Sequence, residues 1–318
     1  MGTPPLSHLL GARAAALAHY SPYSFLRQLS GERQQQLFGT GAVARWNEQA
    51  GAEIVDTSAD SAVIQWLLRQ LPWDSEYFGT PMFRLFTGLF DAQTAQSGLA
   101  ESARALRQHL ATRNGAFYAF SVVPAEDIRL LQGLTEAGWR LVETRTTFYR
   151  DQLPGVDFPR YPVRAARADE APYIGQLAAA ARNPYDRYHA DAWFGDARAD
   201  AYLARYAENT VAGQLAATVL VPDMPGLVVD SFLAISDLLE DSSALNTALS
   251  RVLLTAVGPA NRGWHARLVS ETLHRAQALG HEAVLMTTQA TNHAVFRTCE
   301  KLGFRFGATA HVLACHGH

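Results

Sequence analysis

The rhythm of apolar positions changes along the chain. Through residues 1–61 it is helical: Leu9, Leu10, Ala14 and Leu17 recur at turn spacing, followed by Phe25, Leu26 and Leu29, with breaks at Ser21-Pro22 and Gly39. This stretch carries no motif. From Met82 short apolar runs alternate with amphipathic stretches, which predicts strand 83–90, helix 99–113, strand 116–123, helix 126–137 and strand 140–149. After Pro154 and Pro159 a second series predicts strand 162–166, helices 170–181 and 200–209, and strands 216–221 and 227–235 joined by the turn Pro222-Asp223-Met224-Pro225-Gly226. It continues with strand 251–257, helix 265–279, strand 283–288, helix 292–302 and a final strand pair across 305–314.

The two series resemble each other. Residues 99–150 give helix, strand, helix and "EAGWRLVETRTTFYR"; residues 268–313 give helix, strand, helix and "EKLGFRFGATAHVL". This reads as a degenerate internal repeat, although two unrelated α/β segments ending in Gly-aromatic would look similar. At 318 residues, 48% of them hydrophobic, the chain can bury a substantial core. The expectation is an α/β fold with a mixed sheet in two domains, 1–155 (a helical segment plus a degenerate α/β half) and 160–318.

Composition removes several classes of function. The net charge of -3 has no basic block behind it, so a nucleic-acid partner is not expected. No apolar run approaches the roughly 20 residues that span a bilayer and no leader pattern is present, so a soluble, cytoplasmic protein without a membrane partner is expected. Cys299 and Cys315 are too few for a disulfide framework and should be reduced thiols. His311, His316 and His318 lack carboxylate or cysteine partners at ligand spacing, so no metal is expected.

The chemistry concentrates in one stretch. A buried strand, "RVLLTAV", passes through "GPANRG" into the amphipathic helix "WHARLVSETLHRAQALG". Such a turn presents unpaired backbone N–H groups at the positive end of a helix, which suits a phosphate. Strand "AVLMTT" follows, then Gln289-Ala290-Thr291-Asn292 and the helix "HAVFRTCEKLGF". Together these resemble the GNAT superfamily of N-acyltransferases, in which an Asn opens a helix that ends in Lys-Leu-Gly-Phe.

The resemblance implies that strands 251–257 and 283–288 splay apart around the pantetheine arm of acetyl-CoA or another acyl-CoA, the co-substrate. It implies that backbone N–H groups at Ala256 and Val257 meet the arm and thioester, that Arg262, Gly263, Trp264, His265 and Ala266 hold the pyrophosphate, and that Asn292 contacts the arm. Two positions depart from the family pattern. The usual Arg-Gly-x-Gly-x-Gly/Ala turn is here Arg262-Gly263-Trp264-His265-Ala266-Arg267, and Cys299 stands where many members carry the tyrosine that protonates the departing thiolate. A thiol can donate that proton or carry the acyl group; a buried helix cysteine can equally do nothing but pack. His265, at a helix N-terminus, would hold a positive charge only against a phosphate.

Within the superfamily, "LPWDSEYFGTPMFRL" at 71–85 resembles a signature of the dTDP-fucosamine acetyltransferases. The loop "ARNPYDRYHADAWF" lies where members shape the acceptor pocket, which makes Asp186 and Tyr188, together with Gln289, acceptor-site candidates. His189 is the leading candidate for the group that takes the amine's proton, with His311 or a carboxylate acting through water as alternatives. The implied partner is a small-molecule amine such as a nucleotide-linked amino sugar. An acyl carrier protein as donor, a non-catalytic acyl-CoA-binding module and a homodimer remain open.

Overall fold

The computed structural model describes residues 6–59 and 62–317. In chain order its elements are α1 (Leu6–Leu17), α2 (Gly31–Phe38), α3 (Thr40–Ala44), β1 (Ala52–Ala59), β2 (Ala62–Gln70), α4 (Pro72–Phe78), β3 (Met82–Leu89), α5 (Gln96–Asn114), β4 (Phe117–Pro124), α6 (Ile128–Glu136) and β5 (Arg140–Arg150). They continue with β6 (Val163–Ala165), α7 (Ala171–Ala180), α8 (Arg187–Ala190), α9 (Asp196–Val211), β7 (Thr218–Pro222), β8 (Ser231–Ser236), α10 (Leu239–Leu245), β9 (Leu249–Val257), α11 (Trp264–Ala278), β10 (Ala283–Gln289), α12 (His293–Lys301) and β11 (Arg305–Gly317). The α/β class with a mixed sheet is as the sequence indicates.

Two compact units result, the first from Met1–Arg145 with Ala308–His318, the second from Thr146–Gly307. The sequence puts the boundary at 155–160; the fold places it inside β5 and returns the last strand to the first unit.

In the first unit the strands run β1-β2-β3-β4-β11. Val55, Ile64, Trp66, Leu68, Phe83 and Leu85 from the sheet pack against Leu99, Leu106 and Leu110 of α5 and Leu130 and Leu134 of α6. Each such side chain contributes about 1.5–3 kcal/mol on burial. Two expectations fail here. The helical reading of 1–61 holds for α1 to α3 but not beyond, because Val55 pairs with Trp66 and Thr57 with Ile64 in a β1–β2 hairpin. A polar residue, Thr57, occupies an inward position of β1, which hides the two-residue rhythm; its hydroxyl accepts the Trp66 indole N–H at 2.9 Å and donates to the Ser102 carbonyl at 3.2 Å. The ends of that expectation, Met1–Pro5 and Asp60–Ser61, lie outside the described residues. The expected strand pair at 305–314 is one strand, β11, antiparallel to β4 from Ala310↔Pro124 to Gly317↔Phe117. Gly307, where a hairpin would turn, has no left-handed φ.

In the second unit the order is β10-β9-β8-β7-β6. Ile174, Leu177 and Ala207 of α7 and α9 cover one sheet face through Val219, Phe232 and Ala234. Leu268, Leu273 and Val295 of α11 and α12 cover the other through Leu220, Leu233 and Ile235.

Both units contain the same irregularity. β9 and β10 pair in parallel over Leu249–Val252 and Ala283–Met286 and then part, although β9 stays on β8 as far as Val257↔Ser231. One residue beyond the last parallel pair, Leu253 is an extra residue in β9, since Ile235 faces Val252 and Ala234 faces Leu254. β3 and β4 likewise pair over Met82–Leu85 and Tyr118–Ser121 and then part, and Phe86 is extra, since Leu68 faces Leu85 and Leu67 faces Thr87. A bulge adds local twist and bends its strand away from its neighbour. Here it follows immediately where each parallel pair divides.

Candidate functional site

Beyond Val252 and Met286 the separation of β9 from β10 leaves a cleft of about 190 Å³. Its walls are Val252 to Ala256 of β9 and Met286 to Gln289 of β10, and its rim takes Ala178 and Ala181 at the end of α7, then Asn183, Asp186, Leu203, Asn292 and Val295. Gly258 donates its amide to the Asp230 carbonyl at 2.7 Å. Bonding alternates in an antiparallel ladder, so Ala256 spends its amide on β8 while Thr255 and Val257 turn theirs toward the gap. Of the two backbone groups expected at the thioester, Val257 turns its amide to the gap side just beyond the cleft lining and Ala256 lines the wall; Thr255 turns its amide the same way from within the lining.

The turn after β9 is built tightly. Asn261 is buried, accepting the Asp230 amide at 3.0 Å and the Ser231 hydroxyl at 2.8 Å and donating to the Val228 carbonyl at 3.2 Å. Asp230 in turn accepts the Ala260 amide at 2.8 Å. A Cβ on Gly258 would lie 2.1 Å from the Asp230 carboxylate, so any larger residue must displace that side chain from the Ala260 amide. Gly263, at φ 87°, starts α11 without a side-chain cap, which leaves the amides of Trp264, His265 and Ala266 with no intrahelical acceptor. Arg262 is exposed, Trp264 is buried, and the Arg267 guanidinium lies 5.0 Å from the Trp264 ring and 5.3 Å from that of Tyr161.

His265 sits beneath this turn. Its Nδ1 is 2.9 Å from the Thr298 hydroxyl, and its Nε2 is buried with no partner among the described residues. Burial pushes the imidazole down to about 4, so the ring is neutral at pH 7. Asn292 caps α12, its side-chain oxygen accepting the Val295 amide at 3.3 Å, at the edge of the cleft. Cys299, two turns on, is fully buried among Leu268, Val295 and Leu302 and is not part of the cleft wall. Burial, helped by Glu300, pushes its thiol up to about 12.

The acceptor candidates divide. Asp186 and Gln289 line the cleft, and Gln289 accepts a bond from the Asn183 side chain at 2.8 Å. Asp186 also caps α8 through the amides of Tyr188 and His189. Tyr188 is turned away, its hydroxyl donating to Tyr202 at 2.9 Å and the two rings 4.3 Å apart. His189 lies between two carboxylates, Nδ1 at 2.8 Å from Asp186 and Nε2 at 3.1 Å from Asp200, which also binds Arg182 at 2.8 Å. Both ring nitrogens are thereby committed. His311 belongs to the first unit, its Nδ1 3.1 Å from the Thr144 hydroxyl. Asn183 and Thr255 are site residues that the sequence does not mark. The first follows a helix end and precedes a proline, like many loop residues, and the second depends on a ladder phase that only the pairing reveals.

Among the described residues no group of three His, Cys, Asp or Glu could hold a metal, and no helix is long and apolar enough to cross a membrane. His318 lies outside the described residues.

No family model matches this chain, and no curated protein matches it. Solved structures do. A GCN5-related N-acetyltransferase from Sphaerobacter thermophilus aligns over 99% of this chain and 94% of its own, with TM-score 0.54 and 12% identity. The fold is that of the GCN5-related N-acetyltransferases. A GCN5-related glucosamine N-acetyltransferase region in a fungal multi-domain β-N-acetylglucosaminidase aligns over 98% of this chain and 37% of that one, with TM-score 0.56 and 10% identity. A conserved protein of unknown function from Staphylococcus epidermidis aligns over 85% and 95%, with TM-score 0.51 and 11% identity. In the acetyltransferase fold of this chain, "LPWDSEYF" is α4 with Leu71 at its N-cap, and Trp73 stacks on Tyr77 at 5.7 Å within the first unit.

Proposed function

We propose that the second unit is a cytoplasmic N-acyltransferase that moves an acetyl group from acetyl-CoA to the amine of a small molecule. The observation that carries this reading is the parting of β9 and β10 into an open cleft with the Thr255 and Val257 amides turned toward it. An acyl-CoA arm laid in the gap presents its amides to β9 and its thioester to these donors. The amine nitrogen attacks the thioester carbonyl, the oxyanion forms against the backbone N–H groups, the new C–N bond is made and the C–S bond breaks. The amine's proton leaves through water at the Asp186 rim. The departing thiolate, with a reference pKa near 8.5, is protonated from the same water, because a buried thiol held near 12 is a poor donor. Cys299 then serves as packing, and His189 positions the acceptor loop through its two carboxylates. Asn292 caps α12 and faces the arm, and the α11 amides at Trp264 to Ala266, with Arg262, meet the pyrophosphate.

The acceptor we favour is an amino sugar. The "LPWDSEYF" signature and the fungal neighbour described as acting on glucosamine both support it. The test is direct: purified protein with acetyl-CoA and a panel of amines that includes glucosamine and nucleotide-linked amino sugars should release free thiol only when an amine is present. If acetyl-CoA binds and no amine accelerates thiol release, the unit is a binding module and not an enzyme.

One observation favours a second donor. The Asp230 carboxylate takes up the Ala260 amide and places negative charge in the turn that would face a diphosphate. An acyl carrier protein presents no 3'-phospho-ADP group, and comparing acetyl-CoA with acetylated carrier as donor separates the two readings.

A further inference from the structure

The first unit repeats the design of the cleft but fills it. Counting from the last parallel pair, Gly88 follows Leu85 by the same three steps that take Val252 to Thr255. Asp127 follows Ser121 by the same six steps that take Met286 to Asn292. Asp127 holds the N-cap position of α6 as Asn292 holds that of α12, but its carboxylate makes no capping bond and turns to Arg13 instead. Thr255 and Asn292 are two of the residues that border the open cleft of the second unit.

In the first unit both positions are satisfied by one side chain. Arg13 of α1 donates through Nε to the Gly88 carbonyl at 3.1 Å and through its terminal nitrogens to Thr87 Oγ1 at 3.2 Å and to both oxygens of Asp127, one of them at 2.9 Å. Arg13 and Asp127 are 4% and 2% exposed, so this is a core group and not a surface pair. The guanidinium carbon lies 4.3 Å from the Phe90 ring centre. Tyr20 completes the arrangement, its hydroxyl donating to Asp127 at 2.8 Å and accepting from Thr87 at 3.1 Å. Leu9 and Leu17 anchor the helix on Val43, Trp46, Leu67 and Leu89.

A planar group of N–H donors reaching a strand carbonyl on one side and a helix cap on the other offers the hydrogen bonding of an amide-bearing arm. We infer that α1 is the built-in occupant of a second arm-binding cleft, with Arg13 standing where a pantetheine-class ligand would lie. The inference rests on the reading of the second unit as an acyl-CoA site. The N-terminal helical segment thereby closes a duplicated cleft that has an acidic N-cap residue, Asp127, in place of Asn292 and has no arginine-glycine turn.

Two experiments test it. Arg13→Ala alone leaves the buried Asp127 carboxylate without its cation, so its unfolding midpoint falls; ethylguanidinium at millimolar concentration, which matches the atoms removed, should fill the hole and raise that midpoint, while leaving wild type unchanged. Absence of rescue in Arg13→Ala, or equal stabilisation of wild type, overturns the occupant assignment, and neither result depends on acyl-CoA. The second experiment uses Thr255→Trp, which fills the cleft of the second unit, as background. Adding Arg13→Ala with Asp127→Asn removes both charges and places asparagine at the N-cap position of α6, as at Asn292. S-acetylpantetheine, which has no nucleotide, should then bind about tenfold or more tighter than to the background protein by calorimetry. A folded triple variant that binds no better than its background overturns the assignment. If instead wild type itself fails to bind acetyl-CoA while guanidinium rescue succeeds, the reading of the second unit fails and the occupancy of the first stands.

Discussion

At the scale of single residues, side chains that the sequence singles out for one reason are used by the fold for another. Cys299 stands in the place of a tyrosine acid, yet its sulfur is sealed among Leu268, Val295 and Leu302. Cys299→Ala should therefore retain most of the turnover and lose only about 1 kcal/mol of stability, read by steady-state thiol release and thermal melting. A loss of several orders of magnitude in kcat with an unchanged midpoint would return the thiol to the mechanism. Asn292→Ala should remove an α-helix cap, costing about 1 kcal/mol, and should also weaken acetyl-CoA binding. His265 carries a pH signature. Its folded value near 4 lies below the ordinary 6.5, so between those limits the unfolded chain binds a proton that the folded one refuses. Stability from this residue is complete above pH 6.5 and is lost as pH falls toward 4, by up to about 3 kcal/mol. His265→Gln should flatten that part of a urea-midpoint profile; an unchanged slope would show that the acid sensitivity lies elsewhere. The sequence places His265 correctly at a helix start but does not show the burial that keeps it neutral, or Thr298, thirty-three residues on, whose hydroxyl meets its Nδ1.

At the scale of elements, the strands and helices around the site are legible because their apolar patterns are strong: β9, α11, β10 and α12 fall within two residues of where periodicity puts them. What the pattern does not show is the phase of the β8–β9 ladder. One extra residue, Leu253, reverses which amides face the gap, and a bulge leaves no mark in composition. The β1–β2 hairpin is hidden because Thr57, an inward position, is polar and bonded inside the core. Short α8 reads as loop, since four residues carry no period. The turn after β9 gives a prediction of its own. A methyl on Gly258 must push the Asp230 carboxylate away and free the Ala260 amide, so Gly258→Ala should lower stability by roughly 1–3 kcal/mol and weaken acetyl-CoA binding together. Lost binding at full stability would mean that the turn contacts the ligand and is not merely shaped by Asp230.

At the scale of the molecule, the internal repeat suggested by two Gly-aromatic helix ends is present in the backbone as two parallel pairs that part at the same step, each followed by one bulged residue. Duplication of a fold need not duplicate its site. Asp127 for Asn292 and a guanidinium in place of open space are enough to separate them. A single acyl-CoA per chain, held by the second unit, is therefore expected. The measurement that tests this most directly is a crystal structure of the protein soaked with acetyl-CoA. The predicted result is continuous density for the arm between β9 and β10, passing Thr255 and Asn292 with the thioester at Val257, and none between β3 and β4. A saturated crystal with the β9–β10 gap empty, or with the arm bound at Gly88 and Asp127, would contradict it.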